Sequence, residues 1–374
     1  MKFTLLTTFL LLILACTKIP EDKGLQISIN LDNENDSTND LFKKIEIIQL
    51  ETKEESLIQR IGKIIEYKSK IYILDRHQKT IFLFDSSGNF ISKINTIGRA
   101  PDEYILLEDI TINKFSETLE CLDPMGKILS YDLNGKYLSS IYLPHPPMAY
   151  HVLTILNSDS ILLHTEAGIK ENYTFRIYSR KRDSIISEFG KRQETIFWKT
   201  QNPIQIYANS IFYSQAIYNT IYHIQKDTII PAYTWDFGKY KYDLNEIRIP
   251  DLTDPTMQMK FYTEVMYSPK IPYTFWFNGQ NDQYYYCSIF TKEKMINIFY
   301  DKTSKRKIVF PNGKEKIGIF PISIDNEKII GIIDDDWMPL SFLENAMKIN
   351  LINEFSIKNL PEDLNPILIK YIFK

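Results

Sequence analysis

From Lys43 onward, apolar and polar residues alternate in short runs separated by polar turns, a two-residue period that predicts strands rather than helices. The runs fall into groups of four. The first group covers 61–67, 71–75, 80–84 and 90–95, and the second 109–114, 118–122, 128–132 and 137–142. The third covers 151–156, 160–165, 172–178 and 184–189, the fourth 204–208, 210–214, 220–224 and 228–236, and the fifth 271–277, 283–289, 295–300 and 306–310. A sixth group has only 321–325, 328–333 and the terminal NPILIKYIFK (365–374). KKIEIIQL (43–50) stands alone ahead of the first group and is expected to supply the missing strand.

A repeat underlies the grouping. LDRHQKTIFLFDSSGNFISKI (74–94) matches LDPMGKILSYDLNGKYLSSI (122–141), with Asp75 and Asp123 48 residues apart and Asp85 and Asp132 47 apart. Gly190 and Gly238 repeat the interval of 48. About four strands in a period of this size make one propeller blade. The expected fold class is therefore all-β: a six-bladed β-propeller of four-stranded antiparallel blades, its ring closed by the N-terminal strand, with short helical insertions. Such closure hides sheet edges that otherwise invite aggregation. The insertions are DPTMQMKFYTEVMY (254–267), where Met259, Tyr262 and Met266 share a helical stripe, and PLSFLENAMKIN (339–350).

In such blades the connections alternate between the two ends of the ring. The first-to-second and third-to-fourth turns are short throughout, and FDSSGNF (84–90) and YDLNGKY (131–137) belong to them. Their Asp, Asn and Gly suit tight turns. The long connections, 94–108, 143–151, 190–203, 238–270 and 334–365, all fall at the other end, with DRHQKT (75–80). Loops gathered on one face of a rigid scaffold are where binding sites form.

Composition adds an address. Lys2 precedes an apolar run from Phe3 to Leu14 that is too short to span a bilayer, and Ala15-Cys16 follows. Residues 1–15 read as a lipoprotein signal peptide, 16–40 as the lipidated Cys16 with a polar, acidic flexible tether, and 41–374 as the propeller. The 44 basic and 47 acidic residues balance to a net charge of −3, which offers no electrostatic footprint for nucleic acid. Cys121 and Cys287 fall in corresponding strands of opposite blades, beyond the roughly 7 Å that a disulfide spans, so both are expected as free thiols.

The ending ILAC (13–16) resembles a bacterial lipobox, and Thr17 in place of Asp points, by that resemblance, to the outer membrane. With IEIIQLET (45–52) and IGRAPDEY (97–104), the chain resembles the six-bladed β-propeller lipoproteins of Gram-negative, Bacteroides-type bacteria, distantly NHL-repeat-like. In that family the second stretch usually reads G-x-G-P-G-E-Y; here Ala100 and Asp102 replace two glycines. The resemblance implies fold and cell-envelope location rather than an activity.

Catalytic signatures are sparse. None of His77, His145, His151, His164 and His223 lies in a zinc pattern, and there is no G-x-S-x-G elbow, P-loop or Asp box. No cofactor is called for. Asp334, Asp335 and Asp336 suit either a calcium-holding turn or, more often, a helix cap. The long-loop face instead carries Arg76, His77, Arg99, Asp102, Tyr104, His145, Tyr150, Trp198 and Trp337, a mixed-charge and aromatic set suited to binding. The function expected is an envelope-anchored binding module for a carbohydrate, peptide or protein partner, touching the membrane only through its lipid. The alternative is a glycan- or lactone-acting hydrolase or lyase with carboxylates or a metal in the central funnel.

Overall fold

The computed structural model describes residues 24–34, 38–144, 148–165, 173–191, 202–243, 271–312, 318–333 and 365–374, together with Thr256, Met257, Met259, Lys260 and Thr263. Each predicted group becomes one antiparallel sheet. After β1 (Leu25–Ser28) and β2 (Phe42–Ile48), blade one is β3 (Ile61–Tyr67), β4 (Lys70–Asp75), β5 (Thr80–Asp85) and β6 (Phe90–Ile94). Blade two is β7 (Asp109–Asn113), β8 (Thr118–Asp123), β9 (Lys127–Tyr131) and β10 (Tyr137–Tyr142), and blade three β11 (Val152–Ile155), β12 (Ser160–His164), β13 (Tyr173–Ser179) and β14 (Ser184–Lys191). Blade four is β15 (Ile204–Tyr207), β16 (Ser210–Tyr213), β17 (Thr220–Gln225) and β18 (Thr228–Asp236); blade five is β19 (Tyr273–Gln280), β20 (Tyr284–Thr291), β21 (Met295–Asp301) and β22 (Lys307–Pro311). Blade six holds β23 (Pro321–Ile324), β24 (Lys328–Ile333) and β25 (Ile367–Phe373), with β2 antiparallel to β25 from Phe42↔Phe373 to Ile48↔Leu368. The helices expected within 254–267 and over 339–350 fall outside the described residues, apart from the five named above.

The core is distributed around the ring rather than held in one centre. The buried apolar residues form clusters, each shared by two neighbouring blades. Leu74, Leu83, Leu119 and Leu129 join blades one and two, and Leu122, Ile128, Leu153 and Tyr178 join two and three. Phe175 meets Tyr213 between three and four, Trp235 meets Phe275 between four and five, and Phe299 meets Phe42 and Tyr371 between five and six. Ile322 and Leu368 with Ile73 and Phe82 join six to one. This is why the strands read as near-continuous apolar runs: every residue of β8 is buried, because both faces of a blade meet a neighbour.

One difference lies at the N-terminal side. Within the stretch expected to be a flexible tether, Leu25–Ser28 is a strand, and β1 adds to blade four in parallel with β18, from Leu25↔Tyr233 to Ser28↔Asp236. The reason is the alternation Leu25, Ile27, Ile29, Leu31: the last three enter the seam of blades four and five at 0%, 4% and 6% exposure. Gly24 precedes it at φ +63, where a Cβ would lie 2.7 Å from the Ala232 carbonyl oxygen. Cys121 and Cys287 are both buried and unpaired.

Candidate functional site

At the end of the ring that carries the long connections, two repeated aspartates pin the linkers. Asp75, closing β4, accepts the N–H of Gln59 at 2.7 Å and of Arg60 at 3.1 Å. Asp123, closing β8, accepts the N–H of Ile105 at 2.9 Å. Both carboxylates are buried, so their spacing of one blade reflects one structural task performed twice.

IGRAPDEY folds against this frame. Ile97 and Tyr104 form a parallel bridge, and the Ala100 N–H donates to the Glu103 carboxylate at 2.8 Å. Lys127 reaches up from β9 to the carbonyls of Ala100 and Glu103. A Cβ on Gly98 would lie 1.9 Å from a Glu103 carboxylate oxygen, so a larger residue there would displace the Glu103 side chain from the Ala100 N–H. Ala100 and Asp102 do not have positive φ, which explains why glycine is dispensable at both.

The residues singled out on this face separate into three groups. His77, Arg99 and Asp102 are exposed, and Arg76 is half-buried with Nε donating to the Glu108 carbonyl at 2.7 Å. Nδ1 of His77 contacts the Gln59 side-chain oxygen. Tyr104 and Tyr150, by contrast, are 0% and 1% exposed. The Tyr104 hydroxyl donates to the Lys79 carbonyl at 2.7 Å, and that of Tyr150 to the Pro144 carbonyl at 2.7 Å. Both rings pack beneath loops instead of facing solvent, because a long loop needs an apolar underside as much as a strand does. His145, Trp198, Trp337 and Asp334, Asp335 and Asp336 lie outside the described residues, as does Cys16.

Nearby, Lys63 of β3 pairs with Asp109 of β7 at 2.7 Å, and the other Asp109 oxygen accepts the Leu153 N–H of β11 at 3.0 Å. One carboxylate, 2% exposed, thus ties three blades together at the inner wall. Among the described residues no cluster of histidine, cysteine and acidic side chains could hold a metal ion.

The opposite, short-turn end holds a constellation the sequence reading did not single out. Lys302, in the turn between β21 and β22, places Nζ 4.3 Å from the Tyr207 ring centroid and 4.5 Å from that of Tyr285. It donates to the Gln280 side-chain oxygen at 2.9 Å and to the Asn281 carbonyl at 2.6 Å. Burial lowers its pKa to about 8, because a desolvated ammonium is disfavoured. The Tyr207 hydroxyl donates to Asp282 at 3.0 Å, and Gln205 reaches from blade four to the Gln280 carbonyl at 2.9 Å. No local signal marks this set: Tyr207 and Lys302 lie in different blades.

The family model for Domain of unknown function (DUF4934) matches residues 25–371. The chain belongs to the DUF4934 family. The match opens at Leu25, so β1 is part of the family's domain. Two solved structures share the DUF4934 fold. One is a Bacteroides fragilis protein whose name calls it exported, at TM-score 0.71 and 18% identity over 93% of this chain and 99% of that one. The other is a DUF4221 family member from Bacteroides vulgatus, at TM-score 0.55 and 12% identity over 88% and 98%. No curated protein matches the chain.

Proposed function

We propose that this DUF4934 protein is a lipid-anchored binding module of the cell envelope, held through Cys16 in the outer membrane and presenting its long-loop end to a carbohydrate, peptide or protein partner. The single observation that carries the reading is the direction of β1. It runs parallel to β18, which leads from a short turn at Lys226–Asp227 toward the long-loop end. β1 therefore begins at the short-turn end. Cys16 lies eight residues before Gly24, a reach of at most about 29 Å. An anchor at that position favours a propeller standing on its short turns, with its long loops turned away from the lipid. The pairing of β2 with β25 supports its role as the closure of the ring, a covalently distant clasp that resists opening of blade six. The exported relative in Bacteroides fragilis agrees with the address.

Arg76, His77, Arg99 and Asp102 form the described part of the binding rim in this reading, to which the sequence adds His145, Trp198 and Trp337. Glycan and peptide arrays probed with the full chain carrying Cys16→Ala test it. A hit weakened about tenfold or more by Arg99→Ala, the loss of one charge-assisted contact, supports the assignment. A hit bound equally by the parent, Arg99→Ala and Trp337→Ala places the binding surface elsewhere.

A further inference from the structure

The Lys302 constellation has an imbalance of donors over acceptors. Two of its N–H bonds go to neutral oxygens, and its remaining neighbours are ring faces. Among the described residues no carboxylate lies within ion-pair distance of Nζ. Asp282, the closest negative charge, is engaged by the Tyr207 hydroxyl and by the Asn326 amide at 2.8 Å. Gln280 is 3% exposed; its oxygen receives Lys302, while its Nε2 is buried without a partner. Asn278, two residues earlier on the same face of β19, is also 3% exposed. Its oxygen accepts from the Trp235 indole at 3.1 Å and its Nδ2 is again unpartnered. Two buried amide N–H groups on this face of β19 thus lack an acceptor, and the one on Gln280 adjoins an ammonium bonded only to neutral oxygens. A buried polar group left so costs about 1–3 kcal/mol.

We propose that this seam is a binding site for the carboxylate of a small ligand, one oxygen accepting from Lys302 Nζ and the other from Gln280 Nε2. A carboxylate is an acceptor only, and its two oxygens match two adjacent donors. It also supplies the counter-charge that the ammonium lacks. A water there would accept from the same two donors but would leave the ammonium without a counter-charge. Entry is from the short-turn end, where Asp282, Gln283 and Lys305 are exposed.

The test is competitive protection of Lys302. The full chain carrying Cys16→Ala is treated with limiting succinimidyl acetate in increasing sodium acetate, at ionic strength held constant with sodium chloride, and modification at each lysine is read by peptide mass spectrometry. Acetate is expected to protect Lys302 saturably, by about fivefold or more, while the exposed Lys114 and Lys181 keep their rates. Protection should fade above pH 8, as the Lys302 amine loses its proton; the groups facing it are Tyr207, Tyr285, Asp282, Asp301 and Lys305. Gln280→Glu supplies the carboxylate internally: it should fold, slow Lys302 modification and abolish the acetate effect. Equal protection of all lysines, no protection at all, or persistence of the effect in Gln280→Glu would each overturn the site and leave the seam to water. Phosphate protecting at lower concentration than acetate would overturn the carboxylate assignment.

Discussion

Asp85 and Asp132, one blade apart, build the same turn atom for atom. Asp85 Oδ1 accepts the N–H of Ser87 and of Asn89, both at 2.9 Å, and Asp132 Oδ1 accepts those of Asn134 at 2.8 Å and Lys136 at 2.9 Å. Gly88 and Gly135 follow at φ +91 and +90. The repeat in FDSSGNF and YDLNGKY is therefore a repeat of geometry: a carboxylate organises the bend and a glycine takes the left-handed position that other residues reach at a cost.

The two glycines should nevertheless differ in sensitivity. A Cβ on Gly88 would lie 2.3 Å from the Gln49 carbonyl oxygen, whereas on Gly135 it would first meet the Ile94 side chain at 3.1 Å. Gly135→Ala is expected to cost about 1–2 kcal/mol from backbone strain alone, and Gly88→Ala clearly more. Chemical denaturation of the two variants gives the comparison, and equal losses would contradict the packing.

Removing β1 should destabilise the propeller. Deleting residues 17–31 from the mature, unlipidated chain exposes the β18 edge and strips Ile27, Ile29 and Leu31 from the seam of blades four and five. Each fully buried aliphatic contributes about 1.5–3 kcal/mol, so a lower melting temperature and aggregation on size exclusion are expected. A melt unchanged by the deletion would mean that the segment is a mere spacer.

The thiols of Cys121 and Cys287 should be inert in the native state. Burial pushes both well above the ordinary thiol range, so neither presents a thiolate at neutral pH. Ellman's reagent added to the Cys16→Ala chain should find no reactive thiol until denaturant is added, and then two. A native disulfide between them would break the blade assignment.

Between pH 8 and 10 the loss of the Lys302 proton should add to stability, opposed by the two buried thiols and, at higher pH, by buried tyrosines. Lys302 has a folded pKa of about 8 against an ordinary 10.5, so in that interval the unfolded chain binds more protons at this residue, which makes unfolding less favourable as pH increases. Tyrosines act in the reverse sense: desolvation pushes Tyr72 and Tyr178 up to about 12, so above pH 10 the unfolded chain ionises first and stability is lost. Thermal melts of the parent and Lys302→Met across this range isolate its contribution: the variant should lose stability more steeply between pH 8 and 10. Parallel pH profiles of the two chains would assign the effect to another group.

Much of this architecture was legible because it is local. Period-two patterning marks a strand wherever it occurs, and Asp and Gly at fixed offsets mark its turns, so blade one was expected at 61–67, 71–75, 80–84 and 90–95 and is found at Ile61–Tyr67, Lys70–Asp75, Thr80–Asp85 and Phe90–Ile94. Tyr104 and Tyr150 show the limit of that reading. Their place in long loops was plain, but whether a ring faces solvent or the loop's underside depends on what packs above it. Leu25–Ser28 shows another limit: its short alternation is hidden among acidic neighbours until a partner edge is available. The Lys302 seam is wholly a product of tertiary structure, since it unites a turn, a strand end and a second blade whose contact no nearby residue encodes. Strands and turns arise from interactions between neighbours in the chain, whereas burial, and the pKa and donor imbalance that follow from it, arise only where distant segments exclude water together.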